Sequence, residues 1–205
     1  ENIYPSKEVK EGKIEAFASV DGYFQIDVDR LDEINPIGDI MIATRHSGTA
    51  VKAGDKLAGM RVIPLIVEDE KLKEAEKIFN GQPILKVTPY KLKKAGVITT
   101  GSEVYKGIIK DTFTPVIEEK LNGFGIQMTE HIVVDDGMEN IVNAINEIKT
   151  KDIDMILCTG GMSVDPDDNT PGAIKKSGAE IVTYGAPVLP GAMFLLGYYE
   201  NGMPV

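Results

Sequence analysis

The chain has 205 residues, a formal net charge of −10 at neutral pH and a single cysteine. Such an acidic surface repels phosphate backbones, which argues against a nucleic-acid partner. One cysteine excludes an intrachain disulfide and a thiolate metal cage, and no apolar stretch reaches the roughly 18–20 residues of a membrane span. We therefore expect a cytoplasmic protein without a membrane partner.

A proline and three lysines at residues 88–95 predict a boundary between two domains, 1–92 and 93–205. The first domain is predicted to be a smaller, strand-rich α+β unit. Its expected elements are a hairpin within 14–24 turning at Asp21-Gly22, a helix at 28–34, strands at 40–44 and 61–67 around a glycine-punctuated turn at 51–59, a helix at 68–79 and a strand at 83–87.

The second domain alternates strands and helices, which predicts a three-layer α/β fold with a wound, mostly parallel sheet. The expected strands are 96–99, 126–134, 154–158 and 181–183, and the expected helices are 111–121, 138–148 and one that Thr170 caps. In the first of these helices Phe113, Val116, Ile117 and Leu121 are predicted to face inward. A hairpin around Asn201-Gly202 would end the chain, and because its last strand stops at Val205 and no initiator Met is present, we expect a fragment.

Unusual residues follow three of the predicted strands. They are Thr100-Gly101-Ser102-Glu103, Asp135-Asp136, and the run from Thr159-Gly160-Gly161 to Asn169-Thr170. Ligands of wound α/β sheets bind outside the carboxyl ends of the strands, so these loops are expected to converge on one site. One aspartate of the 135–136 pair is expected to cap the helix near Met138, which leaves the other free.

The glycine pair has two interpretations. Gly160-Gly161 is either a tight turn or, with the helix start at Pro171, a set of amides that face an anion. Asp165, Asp167 and Asp168 lie close together beside it, and their mutual repulsion would be relieved by Mg²⁺. That cation would also bridge an acidic protein to a phosphate or a molybdate.

Other sites are less well supported by the sequence. An EF-hand, a nucleophile elbow and the common nucleotide-binding glycine motifs do not fit the spacing. The isolated His46 and His131 are interpreted as structural or surface residues, and Cys158 as a small buried strand residue.

Taken together, these motifs resemble the molybdopterin-binding domain shared by molybdopterin adenylyltransferases and molybdotransferases, over residues 94–205. A proline- and glycine-rich segment, 184–192, is similar to the substrate loop of the molybdotransferases. The resemblance implies molybdopterin as ligand, Mg²⁺ as cofactor and Asp135 and Asp168 as catalytic residues. It implies further binding residues, namely Thr100, Gly101, Glu103, Asp111, Thr159, Gly160, Gly161, Ser163, Pro190 and Gly191, with Asp165, Asp167 and Asp168 as metal ligands.

Gly160-Gly161-Met162-Ser163 departs from the Gly-Gly-Thr-Gly of the adenylating members, which favours a molybdotransferase-like enzyme acting on molybdate and the pterin. Two alternatives stay open. The competence/damage-inducible nucleotide hydrolases use a similar domain, and Asp167-Asp168-Asn169-Thr170 fits their pattern. A molybdopterin-binding carrier or sensor without turnover is the other. The glycine-rich hairpin at 201–202 also suggests a homo-oligomer.

Overall fold

The computed structural model describes residues 1–163, 165 and 168–205, and the chain divides into two compact units, Glu1–Lys91 and Leu92–Val205. The division lies one residue from the boundary drawn from the sequence. Within the described residues, none of the helices has both the length and the apolar character needed to traverse a bilayer.

The first unit contains two antiparallel sheets, two α-helices and a short 3₁₀ helix at Asn35–Ile37. In chain order its elements are β1 (Ile3–Pro5), β2 (Lys13–Ala18), β3 (Gly22–Ile26), α1 (Val28–Ile34), β4 (Ile40–Thr44), β5 (Thr49–Val51), β6 (Lys56–Val62), α2 (Asp69–Phe79) and β7 (Leu85–Pro89). One sheet has the order β1-β2-β6-β4 and the other β5-β3-β7. The predicted helices and the strand at 40–44 are confirmed, as is the strand-rich α+β character.

The predicted hairpin at Asp21-Gly22 is wrong, because β2 and β3 belong to different sheets. The carboxylate of Asp21 accepts the amide of Ala53 over 2.8 Å instead of closing a two-residue turn. Gly22 pairs with the end of β7 so closely that a Cβ would lie 2.3 Å from the carbonyl oxygen of Thr88. The chain therefore crosses between the sheets at this point.

The predicted strand at 61–67 is also misplaced, since β6 occupies Lys56–Val62. Pro64 has no amide hydrogen for a sheet ladder, and the following Leu65 and Ile66 are exposed. The glycine-punctuated segment that was assigned to a turn supplies most of the strand instead.

The second unit is a three-layer α/β domain, as the sequence predicts. Its elements are β8 (Lys94–Thr100), α3 (Ser102–Tyr105), α4 (Phe113–Gly123), β9 (Gln127–Val134), α5 (Met138–Ile148), β10 (Met155–Thr159), α6 (Thr170–Lys176), β11 (Glu180–Tyr184) and β12 (Leu195–Tyr198). Strands β10-β8-β9 form a parallel sheet, and β11 pairs with β12 antiparallel. The segment 203–205 connects them, because Pro204 accepts a hydrogen bond from Ile156 and Val205 exchanges two with Gly197.

Helices cover both faces of this parallel sheet. On one face the buried Ile98 and Ile156 pack with the apolar stripe of α5 and with α6, which confirms the predicted stripe at 138–148. On the other face Ala95 and Val97 pack with Leu121 of α4. Two residues of α4 that were predicted to face inward, Phe113 and Val116, are 66% and 49% exposed. Leu121 is buried as predicted, and Thr114 takes the other buried position of this helix.

Candidate functional site

The carboxyl ends of β8, β9 and β10 lie side by side at one edge of the parallel sheet. In the sheet register Thr100 is opposite Val134, and Thr99 is opposite Thr159. The amide of Gly101 donates to the carbonyl of Val134 over 3.2 Å. The structure therefore brings the three loops together at the edge where wound α/β sheets bind their ligands.

The glycine turn after β10 is packed against the end of β8. Gly160 has a φ of +90°, and a Cβ there would lie 2.3 Å from the carbonyl oxygen of Thr100. Gly161 has a φ of +56°, and a Cβ there would lie 2.9 Å from Oγ1 of Thr170. Both positions therefore require glycine because atoms of Thr100 and Thr170 lie too close for a side chain, whether or not a ligand binds there.

Two buried threonines hold this turn in place. Oγ1 of Thr170, the first residue of α6, donates to the carbonyl of Gly160 over 2.8 Å, and its amide donates to the carbonyl of Gly161 over 3.3 Å. Oγ1 of Thr100 donates to the carbonyl of Thr159 over 3.2 Å. Asn169 is the N-cap residue of α6, so the assignment of Thr170 as the cap is wrong by one position.

Asp135 and Asp136 surround Ser102, the first residue of α3. The Ser102 hydroxyl lies 2.5 Å from Oδ1 of Asp135 and 2.9 Å from Oδ2 of Asp136, which also accepts the Ser102 amide over 2.9 Å. The hydrogen bond from Ser102 holds the pKa of Asp135 below its usual value, helped by the amide of Asp136. Neither aspartate caps α5 as expected, because its N-cap is Gly137 and no side chain bonds there.

The last part of the acidic run reaches the same edge. The amide of Asp168 donates to the carbonyl of Asp165 over 3.0 Å. Asn169 Nδ2 donates to the carbonyl of Asp136 over 3.0 Å and so links this loop to the end of β9. Oδ2 of Asp168 is buried and has no hydrogen-bond partner among residues 1–163, 165 and 168–205. Asp167, which was assigned as a metal ligand, lies outside the described residues.

These groups line a cavity of about 330 Å³, here called the glycine cavity. Its lining residues are Thr100, Gly101, Glu103, Asp136, Ile141, Gly161, Asp168, Asn169 and Thr170. Five of them were assigned to the site from the sequence, whereas Thr159 and Gly160 lie in the turn behind it. Three carboxylates line the cavity, and its described lining has no Lys, Arg or His.

Asp135 lines a second, adjoining cleft of about 340 Å³ between α3 and α5. The other residues of this α3–α5 cleft are Tyr105, Ile132, Val134, Asn140, Asn143, Ala144 and Glu147. The consecutive residues Asp135 and Asp136 therefore separate two concave surfaces.

Asp111 lies elsewhere, at the start of α4. It accepts the amides of Phe113 and Thr114 and the hydroxyl of Thr114, and it is 4.0 Å from Nε2 of His131. Burial raises the pKa of Asp111, but these hydrogen bonds outweigh the burial and the net shift is downward. His131 Nε2 is 3.0 Å from Oγ1 of Thr99, so this network faces the α4 side of β8.

Pro190 and Gly191 lie in the loop between β11 and β12. Hydrogen bonds close this loop from Gly185 to Phe194 and from Ala186 to Ala192. Gly191 lines an apolar cavity that also includes Cys158, a different one from the glycine cavity. The described link to the glycine turn is Tyr184, whose hydroxyl donates to the carbonyl of Met162 over 3.1 Å and lies 3.4 Å from that of Ser163.

Four residues near these loops were not among the site residues predicted from the sequence, namely Ser102, Tyr105, Thr170 and Tyr184. Ser102 lies in the motif after β8 and Thr170 ends the motif after β10. Their hydroxyls bond Asp135 and Gly160, two residues that were predicted to belong to the site. Tyr184 begins the proline- and glycine-rich segment, so its position was visible even though its contact was not.

An α/β domain with glycines, hydroxyls and carboxylates gathered at the carboxyl edge of a parallel sheet defines a ligand-binding domain of the wound type. The family described as "Probable molybdopterin binding domain" matches residues 96–199, just over half of the chain. The chain belongs to this family.

The relatives include a CinA-like protein of Pseudothermotoga lettingae, 41% identical over 86 residues, which are 42% of this chain and 21% of that protein. A Bacillus cereus protein named competence-damage inducible is 35% identical over 95 residues, 46% of this chain and 23% of its own. The matched part of the chain thus spans about a fifth of the length of these relatives.

Two of the solved structures that resemble the chain are crystal structures of a CinA protein and a MoaB protein. The protein CinA from Thermoplasma acidophilum, described as of unknown function, is 21% identical with a TM-score of 0.49, covering 56% of this chain and 86% of that one. The molybdopterin biosynthesis enzyme MoaB from Thermus thermophilus is 22% identical with a TM-score of 0.47, covering 53% of this chain and 76% of that one.

Proposed function

We propose that residues 92–205 bind molybdopterin, with or without an attached adenylate, and assist the Mg²⁺-dependent insertion of molybdate into it. The observation that carries this proposal is the glycine cavity, where a buried carboxylate oxygen of Asp168 without a described partner lies beside the turn of Gly160 and Gly161. Membership of the molybdopterin-binding family supports the choice of ligand.

The donor set of this cavity fits Mg²⁺ in a particular way. No group of three acidic, His or Cys side chains close enough to hold a metal occurs among residues 1–163, 165 and 168–205. Mg²⁺ is usually bound by one or two carboxylates together with water and phosphate oxygens, so a complete protein cage is not needed. An uncompensated buried oxygen such as Oδ2 of Asp168 is the kind of group that a cation satisfies.

Asp168 would therefore hold the cation, with Asp165, whose carbonyl accepts the Asp168 amide, and with Asp167 of the same acidic run of the sequence. When bound, Mg²⁺ would supply neutralisation of phosphate and molybdate charge. The protein's own contribution would be to orient the ligand, since Thr100 and Thr170 fix the glycine turn and Ser102 keeps Asp135 ionised and aimed. Asp135, which lines the adjoining cleft, would take up the proton that a thiol of the ligand loses when its sulfur binds molybdenum.

The test measures molybdopterin binding and molybdate incorporation by the purified chain, with and without Mg²⁺. We expect Asp168→Asn to abolish incorporation and to leave the folded state intact, while Glu119→Gln, an exposed acid on α4, behaves as wild type. Incorporation that survives Asp168→Asn would refute the site. Binding without any conversion would instead favour a carrier or sensor.

A second candidate is hydrolysis of a nucleotide pyrophosphate. It is supported by the curated relatives, which are named CinA-like or competence-damage inducible. The same cation on Asp168 would then assist attack of water on the pyrophosphate. Release of AMP from ADP-ribose, lost in Asp168→Asn, would decide for this reaction, and its absence beside active molybdate insertion would reject it.

A further inference from the structure

The first unit contains a cavity of about 620 Å³, here called the α2 cavity, which is larger than the glycine cavity. Fifteen residues line it, and thirteen of them have apolar side chains. Cavities that bind small molecules commonly measure roughly 300–1,000 Å³ and are lined mainly by apolar side chains. The size and the lining of the α2 cavity therefore fit an apolar small molecule.

One wall of the α2 cavity is a face of the sheet β1-β2-β6-β4. All four strands contribute to it, and the register places Pro5 opposite Ala16 and Ile42 opposite Met60. Ala16 is also opposite Ala58, which lies two residues before Met60 on the same strand. Directly paired residues, and residues two apart on a strand, project from one face, so these side chains form a continuous apolar surface.

A second wall is the apolar stripe of α2, made by Leu72, Ala75 and Phe79 at spacings of three and four. No residue of α2, all of which the structure describes, is buried, and Leu72 and Phe79 are 38% and 45% exposed. A helix with an apolar stripe normally buries it against the core. The stripe of α2 therefore still offers apolar surface to a molecule in the cavity.

The two remaining lining residues are acidic, Glu1 and Glu76, and the described lining contains no Lys, Arg or His. Oε2 of Glu1 lies 3.5 Å from Nζ of Lys86, whereas the side chain of Glu76 has no ion pair or hydrogen bond with a described residue. The guanidinium of Arg30 lies at the end of α2, but it already bonds the carboxylate of Asp27 and three carbonyls there. The unpaired charge at the cavity is therefore negative.

We propose that the α2 cavity binds a small apolar amine, with the apolar body between the sheet and α2 and the ammonium group at Glu76. Charge complementarity selects this ligand, because an unpaired carboxylate attracts a cation and repels the carboxylate of a fatty acid. The two apolar walls attract the body of the ligand without regard to its charge. The cavity belongs to the first unit, to which the proposed function assigns no role, so the amine site is independent of that function.

Octylamine, octanol and octanoate are suitable probes, because they share one apolar chain and differ in the charge of the head group at neutral pH. Their binding to the full chain is measured by titration calorimetry at low salt. Octylamine should bind about twofold to fivefold more tightly than octanol, and octanoate more weakly than octanol, as expected for one exposed charge pair. High salt should reduce these differences and leave the binding of octanol in place.

Variants of α2 separate the charge from the apolar walls. Glu76→Gln should lower the affinity for octylamine to that for octanol, and Glu74→Gln, at an exposed acid of the same helix outside the cavity, should not. Leu72→Gln and Phe79→Gln change partly exposed positions, which favours correct folding. Each should weaken all three probes by about threefold to tenfold, because a polar amide replaces part of the apolar wall.

Four results would overturn the inference: no saturable binding of octylamine by wild type, octanoate bound as tightly as octylamine, an unchanged octylamine affinity in Glu76→Gln, or unchanged affinities in both wall variants. Sedimentation of the wild type supplies a fifth. Self-association that both wall variants abolish would mean that a second copy of the chain covers the cavity, and the amine site would then be wrong.

Discussion

The hydroxyl of Ser102 lies 2.5 Å from Oδ1 of Asp135, a contact that joins the start of α3 to the loop after β9. Both residues are only partly buried, and the hydrogen bond favours the ionised form of the carboxylate. One side chain therefore fixes both the direction and the charge of Asp135.

Replacement of Ser102 by Ala should raise the pKa of Asp135 toward its ordinary value. In wild type this pKa is lowered by folding, so the carboxylate contributes stability above the unfolded-state pKa, and that stability is lost as the pH falls through the folded-state value. The measurement is an NMR pH titration of the labelled side-chain carboxyl carbon. Ser102→Thr keeps a hydroxyl and serves as the control; an unchanged pKa in Ser102→Ala would contradict the assignment.

Replacement of Gly160 by Ala should destabilise the fold by about 2–4 kcal/mol, because a methyl group would meet the carbonyl of Thr100 and the backbone has a positive φ. Gly178→Ala provides a matched control, since Gly178 has a φ of +94° and open space around its Cβ position. That change should cost only about 1 kcal/mol. Urea denaturation measures both, and equal losses would show that the contact with Thr100 is unimportant.

Replacement of Thr170 by Val keeps the shape of a fully buried side chain but removes the donor to the carbonyl of Gly160. We expect a loss of about 1–3 kcal/mol in the free energy of unfolding, because the carbonyl loses a buried partner. Thr129→Val, at an exposed position of β9, should be nearly neutral. A Thr170→Val protein as stable as wild type would mean that the turn does not depend on this hydroxyl.

The effect of Asp168→Asn on thermal stability should depend on whether Mg²⁺ is present. Without the cation, the variant should be as stable as wild type or more stable, because the buried Oδ2 has no described partner to lose. With Mg²⁺, the melting temperature of wild type should rise and that of the variant should not. Thermal melts at several Mg²⁺ concentrations measure this difference, and an equal rise in both proteins would exclude Asp168 as the ligand.

Cys158 should not react with thiol reagents in the native protein at about pH 8. Burial raises the pKa of its thiol to about 12, so almost no thiolate is present. Reaction with a chromogenic disulfide should become rapid only in denaturant, and rapid native labelling would show that the strand is open at this point.

The sequence predicts the structure correctly where the hydrophobic period of one helix, or the shared carboxyl edge of one parallel sheet, is enough to determine it. The stripe of α5 from Met138 to Ile148 and the convergence of three loops at the carboxyl edge of the sheet both follow from local patterns. Two errors come from long-range pairing, since neither the crossing at Asp21-Gly22 nor the extent of β6 is specified by neighbouring residues alone.

The candidate site shows the same limit. The residue types at the loops were visible in the motifs, but the partners of their side chains were not. Asp111 illustrates this, because its place in the sequence could not reveal that Thr114 and His131 lie against it on the α4 side of β8. The expectation that Asp135 or Asp136 caps α5 likewise failed because both carboxylates bond Ser102, which lies 33 residues from Asp135.

Thr99 and Thr100 are consecutive, yet the first hydroxyl contacts His131 and the second contacts the carbonyl of Thr159. A slip of β8 by one residue would exchange their directions and break both contacts together. The register of this central strand is therefore specified by a polar contact on each of its two sides, and one of them, that of Thr100, lies at the glycine cavity. A chain paired out of register would lose the contact that fixes the glycine turn as well as the contact on the opposite side of the strand.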